Sequence, residues 1–255
     1  MRGAKAAQAG QGGNARQAMK ARLKTRLYVT ALLGICLLNL EAGLETRLLI
    51  PLHDTLHAQQ RPAPQSHGRL FPPIDLGLLE SPDRAAWQKP EQIMDVLHVA
   101  DGSKVADIGA GAGWFTIRLA RRVGPNGRVY SQDVQREMLE AIKRRVIREG
   151  LQNVQTRLGD GSDPNLQVSG LDAIVVVDAY QEVEERVTFL KNLARALKPN
   201  GLIGVVNWKP GRGGPGPPES VRVDKGSVVS DVRAAELRIV DEETLPYQYM
   251  LVLAK

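Results

Sequence analysis

Three alternating glycines, Gly109, Gly111 and Gly113, with Ala110 and Ala112 between them, follow the apolar stretch Val105-Ala106-Asp107-Ile108. They lead directly into Trp114-Phe115-Thr116-Ile117-Arg118-Leu119-Ala120, which has helical spacing. Glycine turns the backbone sharply and lets a ligand come within contact of the chain. The unpaired N–H groups opening the next helix face whatever lies over the turn. The arrangement suits a nucleotide-like ligand at the carboxyl end of a first strand, and a turn without a ligand is the alternative. Asp133, followed by Val134, stands 20 residues beyond Gly113 at the end of a second strand-like run, 128–132. An acid at that distance can accept from both hydroxyls of a ribose, because its two oxygens match two adjacent donors. It can equally cap the helix that begins at 135. Gly159-Asp160-Gly161 offers another acid, able to accept from an adenine amino group; Asp163 is its rival, and a plain turn is the bland reading. Finally Asp178, Tyr180, Gln181 and Glu182 cluster just past a β-branched run, 171–177. Ligands of open α/β sheets sit off the carboxyl ends of strands, so chemistry is expected there, with Asp178, Tyr180 and Glu182 as candidate bases in that order.

Alternating strands and helices must position these groups. Strands are expected at 104–108, 128–132, 153–158, 171–178 and 202–207, and helices at 114–122, 135–149 and 184–197. Met138, Leu139, Ile142, Val146 and Ile147 give the second of these helices one apolar face, and Gly150 ends it. The run Leu171-Asp172-Ala173-Ile174-Val175-Val176-Val177 reads as a central parallel strand buried on both faces. Ser81-Pro82-Asp83 reads as an N-cap with proline in the first helical position, and the helix is expected to continue from 92 to 99. Leu197-Lys198-Pro199-Asn200-Gly201 is a stop between helix and strand. Residues 210–218 hold too much glycine and proline for either element and form a loop. A last helix over 227–236 precedes strands at 237–241 and 247–254, whose short connection makes them antiparallel.

The chain has 255 residues, room for one domain with an appendage. Residues 1–26 carry seven basic side chains and no acid, so the net charge of +6 is concentrated there; the rest has 27 basic and 28 acidic groups. A near-neutral body argues against a dedicated nucleic-acid surface. The single cysteine, Cys36, excludes an internal disulfide and a cysteine-based metal site, and no metal site is expected. Residues 1–58 read as a basic disordered tail followed by a signal- or anchor-like segment, since 27–40 form an uncharged apolar run after a basic stretch. A helix packed on the domain is the other reading of that run. Residues 59–68 form a linker, and 69–255 the functional domain.

Five stretches in this order resemble the class I S-adenosylmethionine-dependent methyltransferases: 105–113, Asp133 followed by Met138, Gly159-Asp160, the strand ending at Asp178, and 197–201. The likeness covers about residues 80–255 and is nearest to the small-molecule, ubiquinone-biosynthesis-like group. It implies a Rossmann-like, doubly wound α/β fold: a seven-stranded sheet with the last strand antiparallel and helices on both faces. It also implies S-adenosylmethionine as cofactor. Asp107 and Gly109, Ala110, Gly111 and Gly113 would then lie along its methionine part, Asp133 and Val134 at the ribose, and Asp160 and Gly161 at the adenine. A dinucleotide dehydrogenase fits less well, because the glycine spacing is not GxGxxG. Many relatives carry histidine where this chain has Gln181, which removes the expected imidazole base. The implied acceptor is a small molecule. A non-catalytic cofactor-binding module tethered at a membrane and a protein or RNA methyltransferase are the alternatives. The apolar N-terminal run points to anchoring or export and the cytosolic supply of cofactor points to the cytoplasm, so localisation stays open, as does oligomeric state.

Overall fold

In the computed structural model the chain divides into two units, Met1–Gln60 and Arg61–Lys255. Residues 80–166, 169–211 and 213–255 are described, all in the second unit. The expectations for the tail, the apolar run 27–40 and the linker lie outside them. Among the described residues no helix is long and apolar enough to cross a membrane.

These residues build a seven-stranded sheet. Its strands are β1 (Lys104–Ile108), β2 (Arg128–Asp133), β3 (Val154–Leu158), β4 (Leu171–Val177), β5 (Leu197–Trp208), β6 (Arg238–Thr244) and β7 (Gln248–Ala254). Their order is β3-β2-β1-β4-β5-β7-β6. The first five are parallel; β7 runs antiparallel between β5 and β6. This is the doubly wound, Rossmann-like α/β sheet that the sequence implies. The helices are α1 (Arg84–Gln88), α2 (Pro90–Val96), α3 (Trp114–Val123), α4 (Arg136–Arg148), α5 (Arg186–Ala196) and α6 (Lys225–Ala234).

Side chains alternate across each strand and so divide the core in two. Ile174 and Val176 of β4 point to one face, where Phe189, Leu190 and Leu193 of α5 and Val228 and Val232 of α6 cover them. Ala173, Val175 and Val177 point to the other, against Ile93 and Met94 of α2 and Phe115 and Leu119 of α3. Because β4 is buried on both faces, its run is apolar at every position but Asp172 rather than alternating.

Two local expectations are corrected. The first helix does not continue past residue 88: Lys89 adopts a left-handed conformation (φ 52°) and Pro90 starts a new helix that ends at Val96. The proline ring crowds the preceding residue and disfavours helical backbone there, so the helix breaks and turns. The stop at 197–201 does not separate α5 from β5 but lies within the strand. Leu171 pairs with Leu197 and Ala173 with Leu202, so the two-residue step on β4 faces five on β5, and Lys198–Gly201 bulge out.

Candidate active site

The β1–α3 turn is built as its glycines require. Gly109 has φ 67°, and a Cβ there would come within 2.3 Å of the Ala179 Cβ, just beyond β4. Gly111 (φ 53°) and Gly113 (φ 79°) complete the reversal. β2 ties the turn down from the side: the Ala110 N–H donates to the Gln132 carbonyl at 2.9 Å and the Gly109 N–H to Gln132 Oε1 at 3.3 Å. Beneath the turn, Asp107 is fully enclosed. It accepts from Thr116 Oγ1 at 2.6 Å, and that hydroxyl lies 2.8 Å from Ser131 Oγ. Burial pushes the Asp107 carboxyl up to about 6 against the bond from Thr116. Asp107 thus braces β1, α3 and β2 from below, and its carboxylate faces Thr116.

Asp133 stands at the end of β2, beside the turn. Oδ2 accepts from the Gly111 N–H at 2.9 Å and Oδ1 from the Gln135 N–H at 2.9 Å. It does not cap α4, whose boundary residue is Gln135, with no side-chain cap. A carboxylate has about four lone-pair sites. The Val134 N–H bonds to it as well, so three of those sites are taken by backbone and about one is left facing out. Val134 is half-buried beside it. Asp160 is exposed and organises its own turn, Oδ1 accepting from the N–H groups of Ser162 and Asp163 at 2.9 and 2.6 Å. The turn reading of Asp160 is the one its geometry expresses. Gly161 is half-buried next to it.

The three residues past β4 part company. Tyr180 is wholly buried, packs on Phe189, and donates from its hydroxyl to Asp231 Oδ2 at 3.0 Å. Burial and the neighbouring Asp231 raise its pKa well above the usual phenol value. As a candidate base Tyr180 is corrected to a core residue that docks α6, because the β4–α5 turn points its ring inward. Glu182 stays half-buried at the rim. Burial, with Asp133 and Asp178 nearby, pushes it up to about 7. It lines a cleft of about 470 Å³ together with Gln181, Arg186 and Asp231. Asp178 has a left-handed backbone (φ 58°) and a carboxyl pushed up to about 7 by burial, against the pull of Arg84.

Asp178 also reveals what the sequence reading missed. Gln248 Nε2, at the start of β7, donates to Asp178 Oδ1. Gln88 Nε2 donates to Gln248 Oε1 at 2.5 Å, and Gln88 Oε1 accepts from Arg84 Nε and a terminal Arg84 nitrogen at 3.3 and 3.2 Å. The same terminal nitrogen lies 3.7 Å from Asp178 Oδ2, closing a ring of four side chains. Both glutamines are fully buried. The one available signal was tryptophan: of the three in the chain, Trp87 and Trp208 stack at 5.3 Å and Trp114 lies under Arg84 at 4.4 Å, all at this edge.

The carboxyl edge of the sheet thus presents a glycine turn, a ribose-competent carboxylate, and an acid-rich rim without a lysine or arginine on the turn itself. That charge pattern suits a cationic nucleoside better than a phosphate-bearing one. A family model described as a methyltransferase domain matches residues 105–201. Over those residues the chain is similar to S-adenosylmethionine-dependent methyltransferases. A crystal structure of a SAM-dependent methyltransferase from Aquifex aeolicus superposes with a TM-score of 0.68 and 26% identity, over 72% of this chain and 98% of that one. Nocamycin O-methyltransferase of Saccharothrix syringae is 30% identical over 131 residues, 51% of this chain and 44% of that protein. Demethylmenaquinone methyltransferase of Geobacillus stearothermophilus is 31% identical over 116 residues, 46% and 49% of the two. The chain spans about half the length of the curated relatives it matches.

Proposed function

We propose that the protein transfers a methyl group from S-adenosylmethionine to a small organic acceptor. The observation that carries this reading is Asp133, held at the end of β2 beside the glycine turn by the backbone N–H groups of Gly111, Gln135 and Val134. In this reading Gly109, Ala110, Gly111 and Gly113 let the cofactor lie against the backbone, Asp133 and Val134 hold its ribose, and Asp160 and Gly161 border its adenine. The relatives named for nocamycin and for demethylmenaquinone support a small organic acceptor. The cleft along Gln181 and Glu182 has a volume in the range of small-molecule sites.

The cofactor supplies a methyl group already activated on a sulfonium sulfur, so the protein's share is positioning and exclusion of water. When bound, it would give that methyl group up to the acceptor atom and leave as the thioether. The acceptor's proton passes to a carboxylate of the protein. Glu182 is the better receiver of the two remaining candidates. It reaches the cleft, and a pKa near 7 suits proton transfer at neutral pH. Asp178 is engaged by Gln248 and Arg84 and does not line that cleft. After β5, Arg222 donates to the carbonyls of Lys209, Gly211, Gly213 and Pro217 and lies over Trp208.

Titration of the full chain with S-adenosylhomocysteine, by calorimetry, tests the proposal. Micromolar binding is expected, weakened at least about tenfold, or about 1.4 kcal/mol, by Asp133→Ala. No heat and no thermal shift with the wild-type chain would overturn it.

A further inference from the structure

The pair of helices α2 and α3 carries a cluster of cations that methyl transfer does not use. Arg118, Arg121 and Arg122 of α3 line a cleft of about 380 Å³ with Glu91 and Met94 of α2. Their spacing, three and four residues apart, sets the three guanidinium groups on one side of α3. Arg118 is half-buried. Its guanidinium lies 3.4 Å over the Trp114 ring and donates to the Trp114 carbonyl at 2.8 Å, which fixes its plane. It is in no ion pair with a described residue. Burial lowers its pKa, and the like charges of Arg145, Arg84 and Arg121 lower it further, while Glu91 pulls the other way. Arg121 pairs with Glu149 at 2.6 Å, and Arg122 with Glu91 at 3.1 Å and with Asp95. These pairs are exchangeable, because Arg121 is 63% exposed and the Glu91 and Asp95 side chains 67% and 63%. Exposed ion pairs are weak and give way to a better-placed anion.

We propose that the cleft between α2 and α3 binds a phosphate-bearing anion through Arg118 and Arg121. A guanidinium fork matches two phosphate oxygens at once, and a phosphate has oxygens enough for two forks. Arg118 supplies the preset fork, and Arg121, one turn on, swings from Glu149 to supply the second. Glu91 sets the threshold, since it occupies Arg122 and its own charge opposes the ligand. The phosphate belongs either to a soluble compound or to the headgroup of an anionic lipid; its chemistry in the cleft is the same. The inference stands on this cleft and holds whatever the chain methylates. Trp114 is the link to the other site: it carries Arg118 on its ring and directly follows Gly113 of the glycine turn.

Calorimetry of the full chain with inorganic pyrophosphate, at fixed ionic strength, tests the proposal. Affinity should fall at least about tenfold in Arg118→Gln and about threefold or more in Arg121→Gln. Arg118→Lys, which keeps the charge without the fork, should retain part of it. Glu91→Gln should bind about threefold tighter or more, because it removes the opposing charge and releases Arg122. A misfolded variant cannot produce that gain. No binding to the wild-type chain overturns the proposal, and so does a Glu91→Gln variant that gains nothing. Affinity that Arg118→Gln leaves unchanged belongs to the seven basic side chains of residues 1–26 and overturns it as well. Co-sedimentation with vesicles of phosphatidylcholine and phosphatidylglycerol separates the two sources. Vesicle binding that Arg118→Gln weakens and pyrophosphate displaces assigns the headgroup; vesicle binding that is absent or indifferent to both assigns a soluble ligand.

Discussion

Replacing Asp178 with asparagine should stabilise the protein, and the gain should grow with pH. The Asp178 carboxyl is pushed from an ordinary 3.8 to about 7, burial outweighing the attraction of Arg84 and the bond from Gln248. A carboxyl whose folded pKa is raised favours folding fully only below its unfolded pKa, and that contribution is lost as pH rises toward the folded value. Between pH 4 and 7 the wild-type chain therefore loses stability through this group. Asparagine mimics the protonated acid: its carbonyl still accepts from Gln248, and it carries no charge to desolvate. Against this stands the loss of a counter-charge for Arg84, but that attraction is already contained in the net shift. At 1.36 kcal/mol per pKa unit, the shift gives Asp178→Asn an advantage of about 0.5 kcal/mol at pH 4 and about 4 kcal/mol at pH 8. Urea unfolding at those two pH values, with the slope checked for constancy, measures the difference. If the variant is less stable than wild type at pH 8, the Arg84–Asp178 pair dominates and the reasoning is wrong.

Other substitutions probe separate parts of the site. Thr116→Val removes the donor to the buried Asp107 carboxyl, which ionises at about 6. It should cost about 1.5–3 kcal/mol in urea unfolding at pH 8 and less at pH 5, where the carboxyl is mostly protonated. Gly109→Ala puts a methyl 2.3 Å from the Ala179 Cβ at a positive φ; a loss of about 2–4 kcal/mol and of S-adenosylhomocysteine binding is expected. Arg222→Ala releases four loop carbonyls on the surface, so limited proteolysis should cut within 209–218 while global stability changes by less than about 1 kcal/mol.

The strands and the glycine turn are legible because their causes are local. The 171–177 run is apolar at every position but one because both faces of β4 are covered, and the turn residues carry their conformations in their side chains, or in the lack of them. Asp133 is legible for the same reason, since a fixed distance along the chain from the turn returns it to the turn's side. The limits are physical as well. Ser81–Val99 has one continuous helical pattern, yet Pro90 breaks it, and the resulting bend is what carries Arg84 and Gln88 onto the sheet edge. Tyr180 looks like its neighbours in sequence, but a single turn of 3-10 helix sends it into the core and leaves Glu182 at the rim.

The two halves of the site differ in how they are specified. On the cofactor half, 105–113 and Asp133 form one strand–turn–helix–strand unit, and its contacts span 22 or 23 residues. On the other half, Gln88 meets Gln248 across 160 positions and Gln248 meets Asp178 across 70. No pattern of spacing announces such contacts, because β7 reaches β5 only after the chain has passed through α6 and β6. An antiparallel last strand inserted between β5 and β6 brings Gln248 to the carboxyl edge, where a parallel strand would present its far end. The reversed strand therefore serves this edge directly: it delivers the donor that fixes Asp178, and through Gln88 it ties Arg84 of α1 to the middle of the sheet.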